Sequence, residues 1–179
     1  SAIRVSETSA ATYSELTKKD IQEKNSGKDL PFLLNTSPSV VVTSDAGAGV
    51  GYTNFSIRGT DVSRINVTIN GIPMNDSESH SVYFVDLPDL ATSLDNIQIQ
   101  RGVGTSSNGA AAFGASVNLQ TKHLDQDPYA KLQSSIGSYN TLRNSLSFGT
   151  GLLKNKLAFD ARLSKISSNG YIDRSSAEL

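Results

Sequence analysis

The chain has 179 residues, 37% of them hydrophobic and 18% charged, with a net charge of -1; this suffices for one domain, or one domain and part of another, and the charge is too low for a disordered polyelectrolyte. Near-neutrality without Lys or Arg runs argues against a nucleic-acid partner, and the lack of cysteine excludes disulfides, thiolate metal sites and cysteine catalysis. No apolar run approaches the roughly 20 residues of a membrane helix, and Ser1-Ala2-Ile3 does not open a signal peptide, so an exported chain would be read here in mature or trimmed form.

The first element is a short extended piece leading into a helix over Thr17 to about Lys24. Thr17 and Asp20 have the spacing of a capping box, and Asn25-Ser26-Gly27 stops the helix. A second helix is predicted over Lys28 to Leu34 with Asp29 in its first turn, ending before Ser37-Pro38 because the residue before proline is pushed to extended geometry. From Ser39 the pattern is β: SVVVTS, NFSIRGT, INVTINGIPM, DNIQIQRG and SVNLQTK are short, β-branched and alternating. Asn70-Gly71 is the strongest hairpin turn signal. Ser44 to Tyr52 reads as a flexible loop, Leu87 to Leu94 as a short helix, and the Val103 to Ser116 stretch as a Gly/Ala-rich segment where backbones approach closely.

After about Asp125 three longer segments follow, Tyr129 to Ser138, Thr141 to Gly149 and Lys156 to Ser168. Leu142, Leu146 and Phe148 alternate with Arg143, Ser145 and Ser147, and Leu157, Phe159, Ala161 and Leu163 with Lys156, Asp160, Arg162 and Ser164. Segments of about 10 residues with period two suit a transmembrane β-barrel, and equally a soluble antiparallel meander. Three strands cannot close a barrel, so further strands are expected beyond Leu179.

Several motifs stand in one order: Leu30 to Leu34 with Ser37-Pro38-Ser39-Val40, then Ser56-Ile57-Arg58-Gly59, Val67 to Pro73, Ile97-Gln98-Ile99-Gln100-Arg101-Gly102, and GAAAFGASVNLQT from Gly109 to Thr121. This order resembles the plug domain of TonB-dependent outer-membrane transporters, and the tail resembles the first strands of their barrel. Asn75 to Asp89 resembles receptors of the Bacteroidetes type. The chain departs from the family pattern in Val103 after Gly102, Asn108 before Gly109, and Gly114-Ala115 in place of a Gly-Gly pair; all are small or loop changes.

The resemblance implies an α+β plug domain, a small mixed β-sheet with short helices, over 1-124, followed over 125-179 by the first antiparallel strands of a transmembrane β-barrel. In the family the plug blocks the lumen of a barrel of about 22 strands. The implied partners are TonB, reached through a segment upstream of Ile3, the remaining barrel strands, outer-membrane lipid, and an extracellular small-molecule or glycan substrate. The implied activity is uptake of a scarce nutrient (ferric siderophore, haem, cobalamin or glycan), with no cofactor and no catalysis. Arg58 and Arg101 match the family's arginines that lock plug to barrel through barrel glutamates, which would lie beyond residue 179. Substrate contacts are expected on the apical loops Ser44 to Tyr52, Asp61 to Arg64 and Met74 to Phe84, with Asp45, Tyr52, Arg64, His80 and Tyr83 as the binding side chains.

Other constellations do not hold. His80 and His123 are the only histidines and lie far apart, which excludes a histidine-rich metal site and leaves open a lone haem ligand at His80. Gly47-Ala48-Gly49-Val50-Gly51 resembles a dinucleotide loop, but Tyr52 takes the third glycine position and a strand follows. Asp86 and Asp89 flank Pro88 with no base or nucleophile nearby and read as caps of a short helix. The competing function is a plug-like binding or signalling module without transport, which the barrel-like tail disfavours.

Overall fold

The computed structural model describes residues 12–102, 113–154 and 156–179. The Val103 to Ser116 segment therefore lies largely outside the described residues. Two bodies meet along one seam: a mixed-sheet body holding the helices, and an antiparallel wall.

In the body, β1 (Tyr13–Thr17) runs into α1 (Lys18–Lys24). The capping box forms as the spacing predicts, with the Thr17 hydroxyl accepting from the Asp20 N–H at 3.4 Å and the Asp20 carboxylate accepting from the Thr17 N–H at 2.9 Å. The second helix, α2 (Leu30–Leu34), starts later than the predicted Lys28. Asp29 is extended, at φ -60° and ψ 158°, and its N–H donates to the Gly49 carbonyl instead of entering the helix, while Pro31 sets the first turn.

A three-stranded sheet follows: β2 (Val40–Ser44), β3 (Thr53–Ile57) and β4 (Thr60–Asp61). Then come β5 (Ile65–Ile69), β6 (Ile72–Pro73), β7 (Leu94–Arg101) and β8 (Ala115–Thr121). With β1 they form a five-stranded sheet in the order β1-β7-β8-β5-β6. Its single parallel pair is β5 with β8; the others are antiparallel. Asn70 and Gly71 both take positive φ, as a tight hairpin between β5 and β6 requires.

The apolar core lies on one face of this sheet, where Ile65, Val67, Ile97, Ile99, Val117 and Leu119 meet Ile21, Leu34, Phe55 and Phe84. The alternating partners Gln98, Gln100, Ser116, Asn118 and Thr68 are buried too. The Thr68 hydroxyl donates to Oδ1 of the Asn118 side chain at 2.8 Å. A polar face is thus interior, held by side-chain hydrogen bonds that offset its desolvation.

In place of the predicted helix over Leu87 to Leu94 there is one 3-10 turn, Leu90–Ser93, with another, Phe84–Asp86, just ahead of the predicted range. Asp89 separates them in the left-handed region, at φ 54°. An aspartate tolerates that conformation better than most side chains, and a continuous helix cannot pass through it.

The wall consists of β9 (Tyr129–Gly137), β10 (Thr141–Gly149), β11 (Asp160–Ser168) and the short β12 (Ala177–Glu178), paired in the order β12-β11-β10-β9. Tyr139 and Asn140 carry positive φ in the tight turn between β9 and β10. The third segment is shorter than the predicted Lys156 to Ser168, because Leu153 pairs with Leu157 in an isolated bridge before β11 begins. On β10 the expected alternation is borne out with a definite sense. Arg143, Ser145 and Ser147 are buried against the body, whereas Leu146 is 41% exposed beside Leu132 and Leu163, at 74% and 67%. A row of Ser134, Asn144 and Lys165 interrupts this outward apolar face.

Candidate functional site

The loop from Ser44 to Tyr52 closes by the Asp45 N–H donating to the Tyr52 carbonyl at 3.0 Å. Gly47, at φ +70°, lies against the wall: a Cβ there would fall 2.9 Å from Cβ of Tyr171. The Tyr171 N–H donates to the Ala46 carbonyl at 2.8 Å, and the Tyr171 ring packs edge-on against Tyr139. A cavity of about 450 Å³ opens between this loop and the 175–179 segment, lined by Asp45, Tyr52, Val50, Val85 and Ala177 among others. Asp45 and Tyr52 thus share one cavity. Arg64, His80 and Tyr83 do not line it: Arg64 is exposed at the end of a 3-10 turn, and the His80 carbonyl accepts from Asn75 Nδ2 on the next loop.

Beneath the loop, Asp29 is buried and accepts from the Thr53 hydroxyl at 3.0 Å. Burial pushes its carboxyl up from 3.8 to about 6, against the lowering pull of the Thr53 hydroxyl and the Gly51 backbone.

Arg58 and Arg101 come close together at the far end of β3. Arg101 Nη1 donates to the Ser14 hydroxyl at 2.7 Å, and Arg58 Nη1 lies 3.9 Å from where a Gly102 Cβ would be. Among the described residues neither forms an ion pair with a carboxylate.

The strongest electrostatic feature was not anticipated. Asp89 has a side chain 1% exposed, and it joins body to wall. Arg143 Nη2 of β10 donates to Oδ1 at 2.5 Å, and Arg162 Nη1 of β11 donates to Oδ2 at 2.5 Å and to the Asp89 carbonyl at 2.9 Å. The Ser164 hydroxyl adds a bond to Oδ2 at 2.8 Å, and Thr92 one to Oδ1 at 2.6 Å. Arg143 also donates to Thr92, whose oxygen accepts from Asn25 Nδ2 at 3.1 Å. Gly27, at φ +82°, lets Arg143 pass, since a Cβ there would fall 2.8 Å from Arg143 Cδ.

The Asp89 side chain therefore makes no capping hydrogen bond to the following turn, contrary to the expectation from sequence. Asp86 lies inside the preceding turn rather than at its cap. The missed signal was on the wall: arginines at inward-facing positions among serines demand a buried carboxylate, but the Asp89 contacts span 54 and 73 residues and nothing local marks which acid supplies it.

A small mixed sheet is thus docked on an antiparallel wall through a buried ion cluster, and comparison with known proteins identifies this arrangement. The family model for the TonB-dependent Receptor Plug Domain matches residues 4–116. The chain belongs to the TonB-dependent receptor plug family. It is similar to the metal-pseudopaline receptor CntO of Pseudomonas aeruginosa, 31% identical over 91 residues that make up 50% of this chain and 13% of that receptor. Among solved structures it resembles P. aeruginosa FpvA in complex with a heterologous ferric pyoverdine, with a TM-score of 0.72 and 18% identity over 90% of this chain and 21% of FpvA. The alcaligin outer-membrane receptor FauA of Bordetella pertussis matches with a TM-score of 0.67 and 19% identity over 90% of this chain and 27% of FauA. The chain thus spans a small fraction of the length of these relatives, and at such identities the structural matches establish the fold. The mixed-sheet body is the plug, the wall is the start of the barrel, and the protein is one of the outer membrane.

Proposed function

We propose that the receptor imports a scarce nutrient across the outer membrane in a TonB-dependent manner, with the plug, residues 1-124, gating a barrel whose first strands lie in 125-179. The observation that carries this reading is the Asp89 cluster, in which one buried plug carboxylate is held by arginines of two successive wall strands. A free-standing binding module would not keep two arginines directed at one plug residue from a sheet whose outer face is apolar.

The substrate class favoured is a metal chelate of the siderophore type, as the names of the relatives suggest, with haem, cobalamin and glycans as competitors. Asp45 and Tyr52, sharing a cavity on the Ser44 to Tyr52 loop, are the residues best placed to touch it; Arg64, His80 and Tyr83 would act from the neighbouring loops. Arg58 and Arg101 are proposed as a second lock, awaiting carboxylates from later barrel strands. Arg58→Ala or Arg101→Ala should loosen the plug in hydrogen exchange and lower uptake; unchanged protection and uptake would remove them from this role.

The test is uptake of labelled ferric siderophores, haem, cobalamin and oligosaccharides by cells carrying the full-length receptor, with and without TonB. TonB-dependent uptake of one class supports the reading. No TonB-dependent uptake of any of them, with the receptor correctly folded in the membrane, overturns it.

A further inference from the structure

Charge at the seam does not balance. Asp89 neutralises one of the two arginines it binds, and Lys122 and Lys131 stand close by. Arg143 also borders a cavity of about 180 Å³. Asn25 and Thr92 line it from the plug, and Lys122, Lys131, Gln133 and Arg143 from the plug's exit and the wall. Among the described residues no acidic side chain lines it. The neighbouring cavity, which Lys122 also borders, carries Asp125 and Asp160.

Three further observations concern these cations. Arg143 is 6% exposed, and its Nε has no hydrogen-bond partner among the described residues. Neither Lys122 nor Lys131 forms an ion pair among the described residues, whereas nearby Lys18 is paired with Asp95 at 3.1 Å. Burial first, then the positive charges of Lys131 and Lys18, draw the Lys122 ammonium below its ordinary value, against the opposing pull of Asp95. Arg143 is buried and shares Asp89 with Arg162, Lys122 is half-buried and Lys131 is exposed; three cations lining one cavity repel one another, and an anion with several oxygens relieves both that repulsion and the orphaned donor.

We propose that this cavity is an oxyanion site, in which Lys122, Lys131 and Arg143 hold a phosphate or carboxylate group between α1, the Leu90–Ser93 turn and β9. Two sources can supply the group. One is a free anion. The other is a side chain of the strand that pairs with the open edge of β9, an edge that a barrel cannot leave unpaired; this second source rests on the barrel reading above, whereas the first does not.

The experiment uses the full-length receptor in detergent or lipid. Its thermal unfolding midpoint is measured with inorganic phosphate against chloride at matched ionic strength, for the wild type, Lys122→Met and Lys131→Met. A filled site predicts a lower midpoint for both variants. If the anion is free, phosphate raises the wild-type midpoint saturably and the variants lose most of that rise. If it is a side chain, phosphate has no effect; neutralising one Asp or Glu on the strand beside β9 then lowers the midpoint as much as Lys131→Met, and the double variant falls no further. Variants that leave the midpoint unchanged or raise it, with no phosphate effect on the wild type, show cations that merely repel one another and overturn the site. Loss of uptake with the midpoint pattern intact would count against the import reading alone.

Discussion

Strands β7 and β10 both alternate polar and apolar side chains, yet β7 is buried on both faces and β10 on its polar face alone. In β7, Ile97 and Ile99 fill the plug core while Gln98 and Gln100 are also interior. In β10, Arg143, Ser145 and Ser147 are interior and Leu142, Leu146 and Phe148 face outward. Alternation reports that the two faces of a strand differ; it does not report which one is covered. A polar face goes inside when its groups find partners there, as Arg143 does on Asp89 and Thr68 on Asn118, and an apolar face goes outside when its solvent is lipid.

The comparison is most directly broken at the seam. Asp89→Ala leaves Arg143 and Arg162 buried without their carboxylate, and a loss of about 3–5 kcal/mol is expected. Equilibrium unfolding of the full-length receptor would show it, with hydrogen exchange locating the lost protection in the plug; a near-neutral variant would mean that the polar inner face is not held by this cluster. Next, Leu146→Arg should destabilise the receptor by about 2 kcal/mol or more in a bilayer. An unchanged unfolding free energy in lipid would place that face in water and remove the contrast with β7.

Asp29 tests the plug side. Folded, it keeps its proton up to about pH 6, whereas its ordinary value is 3.8. Ionising it therefore opposes folding: the penalty is fully present above pH 6, shrinks as the pH falls towards 3.8, and is absent below. Asp29→Asn should raise stability at pH 7 by on the order of 3 kcal/mol or less and flatten the stability profile between pH 4 and 6. A profile that still falls across this window in the variant would assign the titration elsewhere. The smallest effect is expected at the α1 cap, where Thr17→Ala should cost about 1 kcal/mol, read as a small drop in the unfolding midpoint with the wall unaffected.

Much of the framework was legible because its signals are local. The Thr17 capping box, the Asn70-Gly71 hairpin, the Tyr139-Asn140 turn and the bounds of β10 each depend on a few adjacent residues whose dihedral and hydrogen-bonding preferences suffice. The start of α2 was placed too early because Asp29 stays extended with its N–H on Gly49, and the helix predicted over Leu87 to Leu94 does not form because Asp89 is turned left-handed ahead of a single 3-10 turn. In both cases a distant partner outweighed a weak local preference.

Sequence order alone determined the family resemblance, the succession of elements, and the fact that the strands after Asp125 have two unlike faces. Only the tertiary structure decided that Asp89, rather than Asp86, carries the charge at the seam; that Asp45 and Tyr52 share a cavity while His80 lies apart; and that Lys122, Lys131 and Arg143 converge. The physical reason is that ion pairing and desolvation depend on distances set by folding, between residues whose separation along the chain carries no trace of them.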